Sequence, residues 1–379
     1  MQQTIFKQLS DKKISIMLDL CKFRVLTTEQ LMHRHSSNSV AYLNKVLTQL
    51  RKASLIRSAT QTGSRGKKKG HSFHAITMRG IGALHHNGHF VDESFADNYL
   101  SEQLRYYVLS ANDILMSAND SWQVLDSRAT KKVFNLGSRT QIQGALTDGN
   151  KESYGMYVLS EAPVTQTIGK IQSEIMERAG TIKNYVVFGK GKKGLESFME
   201  IAMTKTTTRD FLYTGYALKV LPFKLGQELV KTFDSFSAWE QALLEHLAKE
   251  KGFKIIQSEW SVRKDGERLA DGLTDTTRAT VPEHPLFKTI VEYDGQHYFY
   301  VNLIDLDLKK IRAIQTYSEA DTRRYGVNML VGTSMKLQEQ FLTIKKNFIT
   351  HIRISPSSIL DVMQQAHNKR ALVKESLHE

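Results

Sequence analysis

Apolar positions recur along this chain with a period that changes several times. Residues 4–25 carry Ile14, Met17, Leu18, Cys21 and Val25 at helical spacing, which predicts a helix with one apolar face. Thr27 opens a second, short helix, TTEQLMHRH, with Gln30 three residues on as its capping-box partner. A third helix follows the polar residues 36–38, and Val40, Leu43, Leu47 and Leu50 form its core-facing stripe. Tyr42, Asn44, Lys45 and Gln49 fall off that stripe. After Leu55 the spacing becomes that of strands. LIRSAT and SFHAIT read as a hairpin around the Gly-rich loop QTGSRGKKKGH, and a further helix starts near Met78. Three helices and a two-stranded hairpin with a charged tip predict a winged helix-turn-helix over residues 1–91.

Residues 92–107 then read as a helical connector. Further on, two segments resemble each other. GALTD (144–148) precedes SYGMYVL (153–159), the helix TIGKIQSEIMERA and the strand NYVVFGKG. DGLTD (271–275) precedes KTIVEYDGQ (288–296), the helix DLKKIRAIQTYSEA and the strand VNMLVGTS. Both read strand, strand, helix, strand, so two copies of one α/β unit of about 125 residues would explain them. Chance similarity of two α/β segments is the competing explanation. The expected fold class is α+β and α/β multidomain, with the winged helix-turn-helix followed by one or two α/β units. The domains expected are a middle α/β domain over 92–229, a second α/β domain over 230–350 and a helical tail over 351–379. In the tail, Ile359, Val362 and Met363 suit packing on the last domain.

Composition narrows the partner. The chain has 379 residues and a net charge of +13, from 52 basic and 39 acidic residues. Between Glu29 and Asp92 there is no Asp or Glu, while that stretch holds ten Lys or Arg and seven His. A solvated face normally mixes signs, so this distribution points to a polyanion, nucleic acid first. A winged helix used for protein contacts is the alternative, made weaker by the absence of acids. Asn38, Ser39, Tyr42 and Lys45 would face base edges in the major groove. Arg65, Lys67, Lys68 and Lys69 on the hairpin tip would meet phosphates and release counterions. One cysteine, Cys21, excludes a disulfide framework and a cysteine-rich zinc site. No apolar run spans a bilayer, and the first residues lack a signal-peptide core, so a cytoplasmic protein that avoids membranes is expected.

The hairpin domain resembles bacterial winged-helix domains on TTEQL, LTQLRKASLI and ITMRG. No phosphate-loop motif of the form G-x-x-x-x-G-K-[ST] and no His–hydrophobic–His pair is present, which argues against a nucleotide-driven helicase and against the metal site of rolling-circle relaxases. Asp271 lies in RLADGLTD, and Glu292 and Asp294 lie in KTIVEYDG. Strand alternation would put Glu292 and Asp294 on one face, with Asp271 beside them on a neighbouring strand. Hard carboxylates so placed suit Mg²⁺, which would activate water and stabilise a phosphodiester transition state.

On these residues the chain resembles the PD-(D/E)xK nuclease superfamily. With the winged helix in front, it is similar to the plasmid replication–relaxation family, which includes the C-type mobilisation relaxases. The resemblance implies a restriction-endonuclease-like fold that nicks the origin of a mobile element, with Asp271, Glu292 and Asp294 as metal ligands. Asp294 stands where the superfamily has Lys, and Lys309 or Lys310 on the following helix would replace it. His297 after the acids resembles mismatch-repair-type endonucleases of the superfamily, and Glu240 and Asp321 are further candidates. In the first copy the matching positions are Gly144, Gly155 and Tyr157, so that copy would be inert. Double-stranded DNA is the partner implied, with a homodimer and other replication or mobilisation proteins as further partners. The alternative is a non-catalytic replication initiator or transcription regulator on a degenerate nuclease fold.

Overall fold

A computed structural model describes residues 8–35, 39–61, 71–96, 100–178, 181–203, 217–258, 284–340 and 347–376. The chain divides into two units, Met1–Ser117 with Leu125–Val133, and Ala118–Val124 with Phe134–Glu379.

The first unit begins with helix α1 (Asp11–Phe23), strand β1 (Leu26–Thr27), α2 (Thr28–His35) and α3 (Val40–Lys52). Strands β2 (Ile56–Gln61) and β3 (His71–Ile76) and helix α4 (Met78–His86) follow. The strands form one sheet in the order β1-β3-β2, with β2 and β3 antiparallel from Ile56 opposite Ile76 to Gln61 opposite His71. This is the winged-helix arrangement expected from the sequence. The capping box forms as its spacing demands. The Gln30 backbone N–H donates to Thr27 Oγ1 at 3.0 Å, and the Thr27 N–H donates back to Gln30 Oε1 at 2.9 Å.

Two expectations change. The buried arc of α1 holds Ile16, Met17, Leu20, Cys21 and Phe23, while Ile14 and Leu18 are half-buried. Helix α1 packs on both β3 and α4, so its apolar arc is wider than a single stripe. The connector also differs. Helix α5 runs Glu102–Ser117 and belongs to the first unit, so the division lies beyond the expected 91/92 boundary. The cause is polar anchoring. The Asn112 amide donates to the carbonyls of Phe23 and Val25, and Gln30 Nε2 donates to Leu109 O and Asp113 Oδ1.

The second unit carries two five-stranded sheets. The first has the order β4 (Gln123–Asp126), β5 (Gly144–Thr147), β6 (Ser153–Leu159), β7 (Asn184–Gly189), β8 (Leu218–Pro222). Helix α6 (Ser127–Val133), which belongs to the first unit, lies between β4 and β5 in sequence. Helices α7 (Thr165–Glu177) and α8 (Lys192–Ala202) follow β6 and β7. After α9 (Phe223–Thr232) and α10 (Phe236–Lys251), the second sheet runs β9 (Lys254–Gln257), β10 (Ile290–Tyr293), β11 (Gln296–Asn302), β12 (Asn328–Thr333), β13 (Ile349–Arg353). Helices α11 (Leu308–Thr316) and α12 (Glu319–Tyr325) connect β11 to β12, and α13 (Lys336–Gln340) follows β12.

The two sheets share a pattern. β5–β6 and β10–β11 are antiparallel, and β6–β7–β8 and β11–β12–β13 are parallel. The repeat therefore exists as topology, but its register differs from the sequence alignment by one strand. Ser153–Leu159 is the third strand of its sheet, and the third strand of the other sheet is Gln296–Asn302, not the KTIVEY segment. The run HYFYVN hides this strand, because a strand covered on both faces loses its alternation. Instead of separate middle and C-terminal domains, one core draws on both sheets, with Tyr157, Val187 and Val220 from the first and Phe299, Met329 and Val331 from the second. The last helix, α14 (Pro356–Ser376), packs on α9 and α10 and buries Val362. No helix among the described residues is long and apolar enough to cross a membrane.

Candidate functional site

In the first unit the candidate surface is the outer face of α3. Ser39 caps the helix, its Oγ accepting the Tyr42 N–H. Leu43, Val46, Leu47 and Leu50 lock the inner face. Tyr42, Asn44, Lys45 and Gln49 are exposed together on the outer face, and Arg51 and Lys52 extend it at the C-terminal end. Val40 was expected in the core stripe but is 52 % exposed, because the first turn of α3 projects beyond the packed surface. Asn38, Arg65, Lys67, Lys68 and Lys69 lie outside the described residues.

Buried polar groups fix this surface. Asp19, 7 % exposed, accepts from Arg34 Nε and His35 Nε2, both at 2.8 Å, at the end of α2 that leads into α3. The Lys12 ammonium donates to the His35 carbonyl. His74 sits at the root of the hairpin, 3 % exposed, with Thr28 Oγ1 at 2.9 Å and Ser58 Oγ at 2.6 Å on its two ring nitrogens. Burial, helped by Arg51, lowers its pKa to about 4, so the ring is neutral at pH 7.

In the second unit two of the three expected metal ligands, Glu292 and Asp294, lie among the described residues, and they do not share a strand. Asp271 lies outside the described residues. Glu292 lies on β10, where it pairs with His297 on β11 and Lys254 on β9. Asp294 was expected on the strand beside Glu292, but the strand ends at Tyr293. Asp294 (φ 49°) and Gly295 (φ 72°) form the two-residue turn between β10 and β11. Two successive positive φ values are the geometry that a type I′ hairpin needs and that Asp-Gly supplies. Asp321 caps α12 in a capping box with Ser318. Lys309 is exposed at the rim of a cleft of about 620 Å³, whose lining also includes Lys219, Glu240, Tyr300, Asn302, Asp307 and Lys310.

Lys310 and Glu240, both singled out in the sequence, do meet in that cleft, in company that the sequence reading missed. Glu240 Oε1 lies 2.9 Å from both the Lys219 and the Lys310 ammonium groups. Asp305 Oδ2 lies 2.5 Å from Lys219 and 3.2 Å from Lys310. Two ammonium groups and two carboxylates thus alternate around a closed ring. Asp307 Oδ2 adds a fifth charge 3.7 Å from Lys219 while Asp307 Oδ1 caps α11 through the Lys309 N–H. Lys219, Asp305 and Asp307 are at most 5 % exposed. Burial alone would raise the Asp305 pKa, but Lys219 and Lys310 overcome it and hold the carboxyl below its ordinary range. Burial and the neighbouring Asp305 push Asp307 upward. Burial disfavours the ammonium of Lys219, and Asp305, Glu240 and Asp307 more than restore it.

The signal in the sequence was a set of charges inside apolar runs. Lys219 lies in LKVLP, and Asp305 and Asp307 alternate in IDLDL. Charges in such positions must be paired when the run is buried. The residues described do not fit a Mg²⁺ site. Mg²⁺ needs oxygen ligands at about 2.0–2.1 Å, and the point on which Glu240, Asp305 and Asp307 converge carries the Lys219 nitrogen. Among the described residues no group of three or more His, Cys, Asp or Glu is placed to hold a metal ion.

Comparison with known proteins adds little. No family model and no curated protein matches this chain. One solved structure that resembles part of it is a protein with a GntR superfamily winged-helix-turn-helix domain from Halomicrobium mukohataei. The match has 16 % identity, covers 26 % of this chain and 74 % of that one, and has a TM-score of 0.20. A likeness of that size carries no argument, and the winged-helix description of the first unit rests on its own strand order and helices.

Proposed function

We propose that the chain binds duplex DNA through its first unit, with α3 in the major groove and the hairpin along the phosphates. The observation that carries this reading is the outer face of α3. It presents Tyr42, Asn44, Lys45 and Gln49 to solvent, in a stretch from residue 30 to residue 91 that contains no carboxylate. An interface of this composition gains from counterion release at phosphates and from hydrogen bonding at base edges. The test is selection of duplexes from a random pool by the full chain, followed by affinity measurements with Tyr42→Ala and Lys45→Ala. Loss on the selected duplex supports the reading, and unchanged binding refutes it. That the DNA is the origin of a mobile element, bound for replication or mobilisation, rests on the resemblance stated above.

A second reading adds metal-dependent nicking by the second unit. One observation favours it. Each sheet joins an antiparallel hairpin to parallel strands through crossover helices, and in the second sheet this brings Glu240 and Lys310 into one cleft. On this reading Mg²⁺ would be held by Asp271 and Glu292. Supercoiled plasmid carrying the selected duplex, incubated with protein and Mg²⁺ or Mn²⁺, tests it. Relaxation that Glu292→Gln abolishes supports cleavage, and intact supercoils leave the non-catalytic initiator or regulator.

A further inference from the structure

We propose that Lys219 is a tethered counter-ion that fills the position a divalent cation would take among Glu240, Asp305 and Asp307, and that the first α/β copy serves the second by delivering it. The inference concerns the second unit alone and stands whether or not the first unit binds DNA.

Three observations carry it. The carboxylates come from the second copy, Glu240 from α10 and Asp305 and Asp307 from the loop between β11 and α11. The ammonium comes from β8 of the first. A backbone bond from the Val220 N–H to the Asp305 carbonyl at 2.7 Å fixes β8 against that loop, so the ammonium is positioned by the sheet and not by a flexible stem. The contacts at 2.5 and 2.9 Å are those of charge-assisted hydrogen bonds, with both carboxylates shared by Lys310.

Charge balance gives the physical reason. Three carboxylates this close cannot all ionise in a buried site without a cation. A bound metal ion is one way to supply that charge. Here Lys219 and Lys310 supply two positive charges, which neutralise Glu240 and Asp305, and Asp307 is left as a helix cap. A metal entering the ring would have to displace an ammonium that is 5 % exposed and held by its own strand. The first copy thereby has a purpose that does not need catalysis.

The experiment is a Mn²⁺ titration of the full chain, read by electron paramagnetic resonance, on wild type, Asp305→Asn and Lys219→Ala. Wild type and Asp305→Asn are expected to bind the same number of Mn²⁺ ions, because the ring offers no site. Lys219→Ala is expected to gain one Mn²⁺, to lose it again when Asp305→Asn is added, and to show a Tm that rises with Mn²⁺ while that of wild type does not. Loss of one Mn²⁺ from wild type on Asp305→Asn overturns the proposal, as does a folded Lys219→Ala that gains none. If Lys219→Ala does not fold, the comparison of wild type with Asp305→Asn decides alone. A wild-type metal site among these carboxylates would also revive the cleavage reading, whereas failure of DNA binding would leave this result unchanged.

Discussion

Lys219 and Asp305, 86 positions apart in sequence, meet at 2.5 Å in the interior of the second unit. Each is at most 5 % exposed, so neither can fall back on water if the other is lost. Removing one partner of such a pair leaves an uncompensated buried charge, at a cost of about 3–5 kcal/mol. Lys219→Ala is therefore expected to lower the urea midpoint of the second unit strongly. Replacement of an exposed ammonium such as Lys309 is expected to change it within about 0.5 kcal/mol. Equal effects of the two substitutions would remove the ring from the account of stability.

The cap of α2 gives a graded pair. Thr27→Ala removes one side-chain acceptor and is expected to cost about 1 kcal/mol. Gln30→Ala removes the reciprocal bond and also the two bonds from Gln30 Nε2 to α5, and is expected to cost about 2 kcal/mol. Chemical denaturation of the two variants checks the order. If Thr27→Ala is the more damaging, the attachment of α5 through Gln30 is not significant.

His74 makes the first unit sensitive to acid. Its pKa is lower in the folded chain, about 4, than the ordinary 6.5 of an unfolded histidine. Its contribution is thus complete above pH 6.5 and lost as pH falls through that interval, amounting to roughly 3 kcal/mol by pH 4. Unfolding of the first unit followed between pH 7 and pH 4 should show this slope. His74→Gln, which cannot take up a proton, should flatten it. A parallel decline in that variant would assign the effect to another group.

Asp294 separates turn from ligand. Asn-Gly satisfies a type I′ turn as well as Asp-Gly, so Asp294→Asn is expected to keep stability within about 0.5 kcal/mol of wild type. If the chain nicks DNA with Mg²⁺ or Mn²⁺, the rate should also survive this change. Loss of nicking with the fold intact would return Asp294 to the metal site.

These residues show what could be read from the sequence and what could not. The winged helix was legible because each signal was local. The Thr27–Gln30 cap, the stripe Leu43–Leu47–Leu50 and the change to strand spacing after Leu55 all act within a few residues. Helix α5 was misplaced because its attachment depends on Asn112 and Gln30 reaching residues more than 75 positions away. Asp294 belongs to a Glu-x-Asp pattern that suits a strand, but the same residue opens an Asp-Gly pair, and the turn that pair favours is the one that forms. The charged ring was invisible as a set. Its members are spread from Lys219 to Lys310, and only the antiparallel and parallel pairings of two sheets bring them together. Its one local trace was the placing of Asp305 and Asp307 among Ile and Leu.

The proposed role of α3 is to read DNA. Its most direct test is fluorescence anisotropy of the full chain on a duplex selected from a random pool, across a range of salt concentrations, for wild type, Tyr42→Ala and Lys45→Ala. Wild type should bind with an affinity that falls steeply with salt. Lys45→Ala should reduce the log–log slope by about 0.9, one phosphate contact, if Lys45 meets the backbone. Tyr42→Ala should lose about 1–3 kcal/mol on the selected duplex and much less on random DNA, if Tyr42 meets a base. A chain that enriches no duplex, or whose affinity is untouched by both substitutions, would show that α3 does not read DNA.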